Sequence, residues 1–273
     1  MSVEERVQEH YGNADVIDLV DASLRTLGKD PSRLVPEDLA LIDELHIGGP
    51  EATADLIKAC GFAAGLRILD VGSGLGGPAR AFARKAGVHI TGIDLTAGFV
   101  NAARVLSDRL GMSGSTAFQQ ASALDLPFAP HTFDGAYMIH VGMNIGPKER
   151  LFGQVHRVLK PGATFAIYDV MQIGPGAITF PMPWSSVAET SFVATPDAYE
   201  SALRAAGFTI AAVHDKQAFA HAVFEKMAAM QAKGPAPVLQ HRGADFAIKS
   251  RNLRDMLHGG VLAPRMILAR AAV

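Results

Sequence analysis

Leu66, Ile68, Leu69 and Val71 form a short apolar run of the length and composition of a strand buried on both faces, and residues 89–93 form a second. Between them, 77–86 reads as a helix. The alternation continues downstream, with strands predicted near 115–120, 133–139 and 163–170 and helices near 97–110 and 147–159. Such a pattern predicts a parallel sheet with helices on both faces. Ahead of it the chain reads as helical. Val16, Ile17, Leu19, Val20, Leu24 and Leu27 recur at helical spacing with Gly28 as a stop signal, and 36–45 and 50–60 are two further helix candidates.

A helix over 196–206, a strand over 208–213 and a last strand over 264–271 complete the pattern. About fifty residues, 214–263, separate those two strands, too many for a structureless loop in a compact domain. Phe219, Val223, Phe224 and Met227 fall on one predicted helical face, and Ala247, Ile248, Leu253 and Met256 on another. This insert reads either as a cover over the site or as a packing pair, which would serve a homodimer. The expected organisation is an N-terminal helical cap over 1–60 and a main domain over 61–273 that includes the insert.

The turn after the first strand carries the chemistry. Gly72, Gly74, Gly76 and Gly77 let the backbone bend tightly and approach a ligand, and the helix that follows aims its free N–H groups at the same place. Asp94, after the second strand, stands where a carboxylate accepts hydrogen bonds from two ribose hydroxyls. Gly72-x-Gly74-x-x-Gly77, with Asp94 20 positions after Gly74, satisfies the dinucleotide fingerprint. Asp70 argues against that cofactor, because a carboxylate just before the glycines repels a diphosphate and suits an ammonium.

Asp70-Val-Gly-Ser-Gly-Leu-Gly resembles the first motif of class I S-adenosylmethionine-dependent methyltransferases. Three later motifs follow in that family's order: Ser122-Ala-Leu-Asp-Leu-Pro-Phe128, Thr132-Phe-Asp-Gly-Ala-Tyr137 and Val158-Leu-Lys-Pro-Gly-Ala163. The stretch from Asp43 to Thr53 is similar to the one preceding the fold in sarcosine/dimethylglycine N-methyltransferases and related small-molecule type 11 enzymes. The resemblance implies a Rossmann-like α/β fold, a mostly parallel seven-stranded sheet with its last strand antiparallel. It also implies S-adenosyl-L-methionine as cofactor, S-adenosyl-L-homocysteine as product and a small-molecule methyl acceptor. N-methylation of a small amine or amino acid is the first expectation, and O- or C-methylation of another metabolite the alternative. A nicotinamide-dependent oxidoreductase and a non-catalytic cofactor-binding protein are the remaining classes.

The same resemblance distributes roles. Asp70, Gly72, Ser73, Gly74 and Gly76 line the methionine part of the cofactor and Asp94 its ribose, with Leu95, Thr96, Ser122 and Ala123 at the adenine. Ser122 departs from relatives that carry an aspartate there. His46 and Gly48, at a glycine pair that opens a helix, are candidates for closing over the cofactor's carboxylate. Against this stands a simple helix-entry turn. His140, after the fourth strand, reads as general base, as pocket lining or as a core histidine. Tyr11, Asn144 and Trp184 are candidates on the acceptor side, while Met143 and Met182 would add apolar lining. Asp169 either faces substrate or caps a loop.

Composition narrows the classes. The chain has 273 residues, 49% of them hydrophobic and 19% charged, with a net charge of −2 and one cysteine, Cys60. Disorder and intrachain disulfides are excluded, a cysteine-based zinc site is implausible, and no metal is expected. Without a basic surface there is no electrostatic reason to expect nucleic acid. Lacking a signal sequence or an apolar stretch long enough for a bilayer, the chain reads as a soluble cytoplasmic enzyme without a membrane partner.

Overall fold

The computed structural model describes residues 4–6, 16–232 and 245–272. Seven strands form one sheet in the order β3-β2-β1-β4-β5-β7-β6. They are β1 (Arg67–Val71), β2 (His89–Asp94), β3 (Thr116–Gln120), β4 (Phe133–Ile139), β5 (Leu159–Gln172), β6 (Phe208–Asp215) and β7 (Leu262–Ala271). The pairs among β1 to β5 are parallel, whereas β7 runs antiparallel to β5 and β6. The sheet order turns at β1, where β2 lies on one side and β4 on the other. Ligands bind at such a reversal beyond the carboxyl ends of the strands.

Eight helices among the described residues surround the sheet: α1 (Val16–Thr26), α2 (Gly49–Cys60), α3 (Gly77–Ala86), α4 (Ala97–Arg109), α5 (Lys148–Val158), α6 (Pro196–Ala205), α7 (Gln217–Gln231) and α8 (Phe246–His258). Alternate strand residues serve the two faces. Leu69, Val71, Met138 and Phe165 pack with Leu151, Phe152 and Val155 of α5. Ile68, Tyr137 and Tyr168 pack on the other face with Leu56, Phe82 and Val100 of α2, α3 and α4. A third cluster, including Met143, Val170, Met182, Trp184, Phe224, Leu253 and Leu257, joins α7 and α8 to the strand ends. α1 lies outside α4, with Val20 and Leu24 packed against Leu106.

Two expectations change. Residues 36–45 form no α-helix. A 3₁₀ turn, Pro36–Leu39, is followed by an irregular stretch in which Leu39 and Ile42 turn inward. Asp43 is drawn in as well: Arg80 donates to it from Nη2 at 2.7 Å, and both side chains are buried. The insert is helical, as α7 and α8 show, but Ile248 is 45% exposed and does not share a buried face with Leu253.

Candidate cofactor and acceptor site

Beyond β1, β2 and β4 lies a cavity of about 1320 Å³, lined also by the 41–51 segment, the 143–147 turn, the 183–192 loop and α7 and α8. Pockets for one drug-sized ligand are about 300–1,000 Å³, so this space suits a cofactor with a second molecule beside it. Asp70, Gly72, Ser73, Gly74, Asp94, Leu95, Thr96, Ser122, Ala123, His140, His46, Gly48, Asn144 and Trp184 all line it. Tyr11 lies outside the described residues.

The glycine turn is built for close approach. Gly72 has φ +78°, and a Cβ there would stand 2.2 Å from the Val141 side chain. Gly74, at φ +50°, borders open space. The Asp94 carboxylate holds this turn against the end of β2, accepting from the backbone N–H of Gly74 and of Thr96, each at 2.9 Å. Gly76 is a correction. It caps α3 and packs against Phe118 and Arg80, outside the cavity lining.

Three carboxylates gather at this end of the cavity. Asp70 is 2% exposed, and burial, opposed by the Tyr137 hydroxyl and reinforced by the charges of Asp94 and Glu44, raises its pKa to about 8. Burial raises the Asp94 pKa too, against the hydrogen bonds from Thr96, Gly74 and Leu95 that oppose it. Glu44 is raised to about 7, again mainly by burial, although Thr53 donates to its Oε2 at 2.5 Å. Such a cluster repels a diphosphate and favours a ligand carrying positive charge.

His140 follows β4 with φ +53°, and its backbone N–H donates to the Tyr168 carbonyl at 2.8 Å. Its ring lies 5.2 Å from that of Tyr168 and 5.8 Å from that of His46. Nε2 is buried without a partner, and burial, with His46 nearby, holds the imidazole pKa well below the usual range. His140 is therefore a neutral side chain with an unpartnered polar atom at the cavity wall. His46 is engaged differently: Nε2 pairs with the Gly49 carbonyl at 3.0 Å and lies 3.2 Å from Thr53 Oγ1, while burial lowers its pKa to about 4.

Gly48 has φ +88°, and a Cβ there would stand 2.4 Å from the Phe219 ring of α7. The N–H groups of Gly49, Glu51 and Ala52 bond back to the carbonyls of His46 and Gly48, which leaves little of an anion cradle at this helix start. The acceptor half of the cavity is apolar, with Met143, Trp184, Phe192, Phe224, Met227 and Leu253 among its walls. Trp184 both packs and lines, its indole N–H donating to Ser191 Oγ at 2.9 Å. Lys148 pins this wall by donating to the carbonyls of Ile145 at 2.6 Å and Phe192 at 2.8 Å. Met182 belongs to the core and not to the lining. Asp169 is fully buried away from the lining, accepts from the Tyr199 hydroxyl at 2.7 Å, and supports the turn at Gly142.

Sequence reasoning passed over Glu44, Phe192 and Glu4. Glu44 stood within a quoted motif, but nothing local showed that it faces the cavity. Phe192 and Glu4 arrive from distant segments.

The sheet order, the antiparallel β7 and a glycine turn facing carboxylates at the β1 reversal define a class I S-adenosylmethionine-dependent methyltransferase fold. Residues 69–167 match the family model described as a methyltransferase domain, a family whose cofactor is S-adenosylmethionine. Over 109 residues the chain is 34% identical to the sterol 24-C-methyltransferase ERG6B of Gibberella zeae, a match covering 40% of this chain and 29% of that protein. Over 134 residues it is 34% identical to the O-methyltransferase resE of Aspergillus sclerotiorum, covering 49% and 51%. The geranyl diphosphate C-methyltransferase of Streptomyces coelicolor A3(2) superposes with a TM-score of 0.74 over 100% of this chain and 98% of that one, at 14% identity. The chain thus spans about half or less of the length of these curated relatives.

The residues present fit the cofactor. The buried Asp70 carboxylate and the open face of Gly74 suit the ammonium of an amino-acid tail, and the Asp94 carboxylate lines the cavity beside them.

Proposed function

We propose that the protein transfers a methyl group from S-adenosylmethionine to a carbon or oxygen atom of an apolar small molecule. The cofactor supplies a methyl group activated on a positively charged sulfur. Asp70, Gly72, Ser73 and Gly74 hold its amino-acid end, with His46 and Gly48 closing from the 41–51 segment. Asp94 takes the ribose, and Leu95, Thr96, Ser122 and Ala123 border the adenine. His140 faces the acceptor and takes a hydrogen bond, or the departing proton, at Nε2. Asn144 and Trp184 position the acceptor, while α7, α8 and the N-terminal segment cover it and exclude water. In-line displacement depends on alignment, so these walls supply rate as well as affinity.

One observation carries the choice of acceptor. Leu41, Leu45 and Met230 are 56%, 51% and 64% exposed, and all three line the cavity. Large apolar side chains gathered round a cavity mouth mark an apolar ligand. A small charged amine would gain nothing from them, which favours the O- or C-methyl alternative over the amine expected from the 43–53 motif. Relatives named for sterol carbon and for oxygen methylation accord with that preference.

The test is production of S-adenosylhomocysteine with a panel of acceptors. Apolar alcohols, phenols and alkenes should support turnover, whereas glycine, sarcosine and ethanolamine should not. Turnover confined to the amines would reverse the assignment.

A further inference from the structure

Ser122 lines the cavity beside Leu95, Thr96 and Ala123, the end assigned to the adenine. Its hydroxyl is already committed. Oγ donates its proton to Glu4 Oε1 and accepts from the Leu124 N–H at 3.1 Å. A hydroxyl has one hydrogen and two acceptor sites, so Ser122 keeps at most one neutral acceptor site for the adenine amine. Glu4 lies 118 positions earlier, in a helical turn at 4–6, and also lines the cavity. Its carboxylate has about four acceptor sites, of which Ser122 takes one.

We propose that Glu4 supplies the carboxylate that reads the exocyclic amine of the adenine, with Ser122 serving to aim it. A charged acceptor makes the stronger bond to an amine, roughly twice a neutral one. This assignment explains why a serine suffices at position 122: the negative charge comes from a separate segment of the chain. It also makes the N-terminal turn at 4–6 part of the cofactor site.

The proposal rests on the cofactor reading above, and the experiment separates the two. S-adenosylhomocysteine and S-inosylhomocysteine, which carries a carbonyl in place of the amine, are titrated calorimetrically into the wild-type protein, Glu4→Ala and Glu4→Ala/Ser122→Asp. Expected results are a wild-type preference for the adenosyl compound and a loss of about tenfold in its affinity in Glu4→Ala, the scale of one hydrogen bond to a charged group. The inosyl compound should be nearly unaffected, and Ser122→Asp should restore adenosyl affinity in the Glu4→Ala background. Unchanged adenosyl affinity in Glu4→Ala would overturn the role of Glu4, as would an equal loss for both ligands, which marks a merely structural contact. Failure of the wild-type protein to bind S-adenosylhomocysteine would overturn the cofactor reading itself, and this proposal with it.

Discussion

His140 combines a left-handed backbone, a buried ring and an unpartnered Nε2. Asparagine tolerates the same backbone, so His140→Asn removes the imidazole without straining the turn. As proton acceptor or acceptor clamp, His140 acts on the reacting molecule. Turnover of the variant should fall by about 10²–10⁴-fold, the range for a positioned acid–base group, with cofactor affinity almost unchanged. Single-turnover kinetics beside a cofactor titration separate these, and the opposite pattern would make His140 a cofactor clamp. Asp94 answers to the reverse test. Asp94→Ala should weaken cofactor binding by about 1–3 kcal/mol, the scale of charged hydrogen bonds lost, and unaltered affinity would exclude the ribose role.

At the scale of elements, the 41–51 segment reaches the site because Arg80 of α3 captures Asp43. Arg80 also donates to the Leu75 carbonyl at 2.6 Å and to Ser107 Oγ at 3.1 Å, so one guanidinium ties the glycine turn, α4 and this segment together. Breaking a buried pair from one side leaves an uncompensated charge, at a cost of about 3–5 kcal/mol. Asp43→Ala should lose that much in urea unfolding, and Asp43→Asn, which keeps a neutral acceptor for Arg80, should lose less. A loss under about 1 kcal/mol would show that the pair does not hold the segment. The strands and helices of the sheet were legible in the sequence because their signals are local: apolar periodicity, glycine stops and strand-length runs. The glycine turn and Asp94 were legible for the same reason. What was not legible depends on partners far along the chain. The fate of 36–45 turns on an arginine 37 positions away from Asp43, and Glu4 meets Ser122 from the opposite end of the fold. Gly76 belonged to the motif by spacing, yet its position is spent on packing, which spacing cannot distinguish from lining.

Across the whole molecule, buried titratable groups give stability and cofactor binding a pH dependence. Asp70 and Glu44 have pKa values of about 8 and about 7, against 3.8 and 4.5 for free carboxylates, and Asp169 is raised by burial to about 6. Between the ordinary and the raised values the folded state holds more protons than the unfolded chain, so these groups lower stability as pH rises. His46, lowered to about 4, and His140, also lowered, act oppositely up to about pH 6.5, where an unfolded histidine loses its proton. Lys148, lowered to about 8, adds a stabilising trend only above that value. The carboxylates therefore stand unopposed between about pH 6.5 and 8, and thermal stability of the ligand-free protein should decline across that window. A cation in the site favours the ionised carboxylates and draws their protons off. S-adenosylmethionine should thus bind more tightly at pH 8 than at pH 6.5, with protons released, and its stabilisation should grow as the ligand-free protein weakens. Calorimetry in buffers of different ionisation enthalpy counts those protons. Proton uptake, or affinity that falls with rising pH, would show that Asp70 and Glu44 do not face the positive charge.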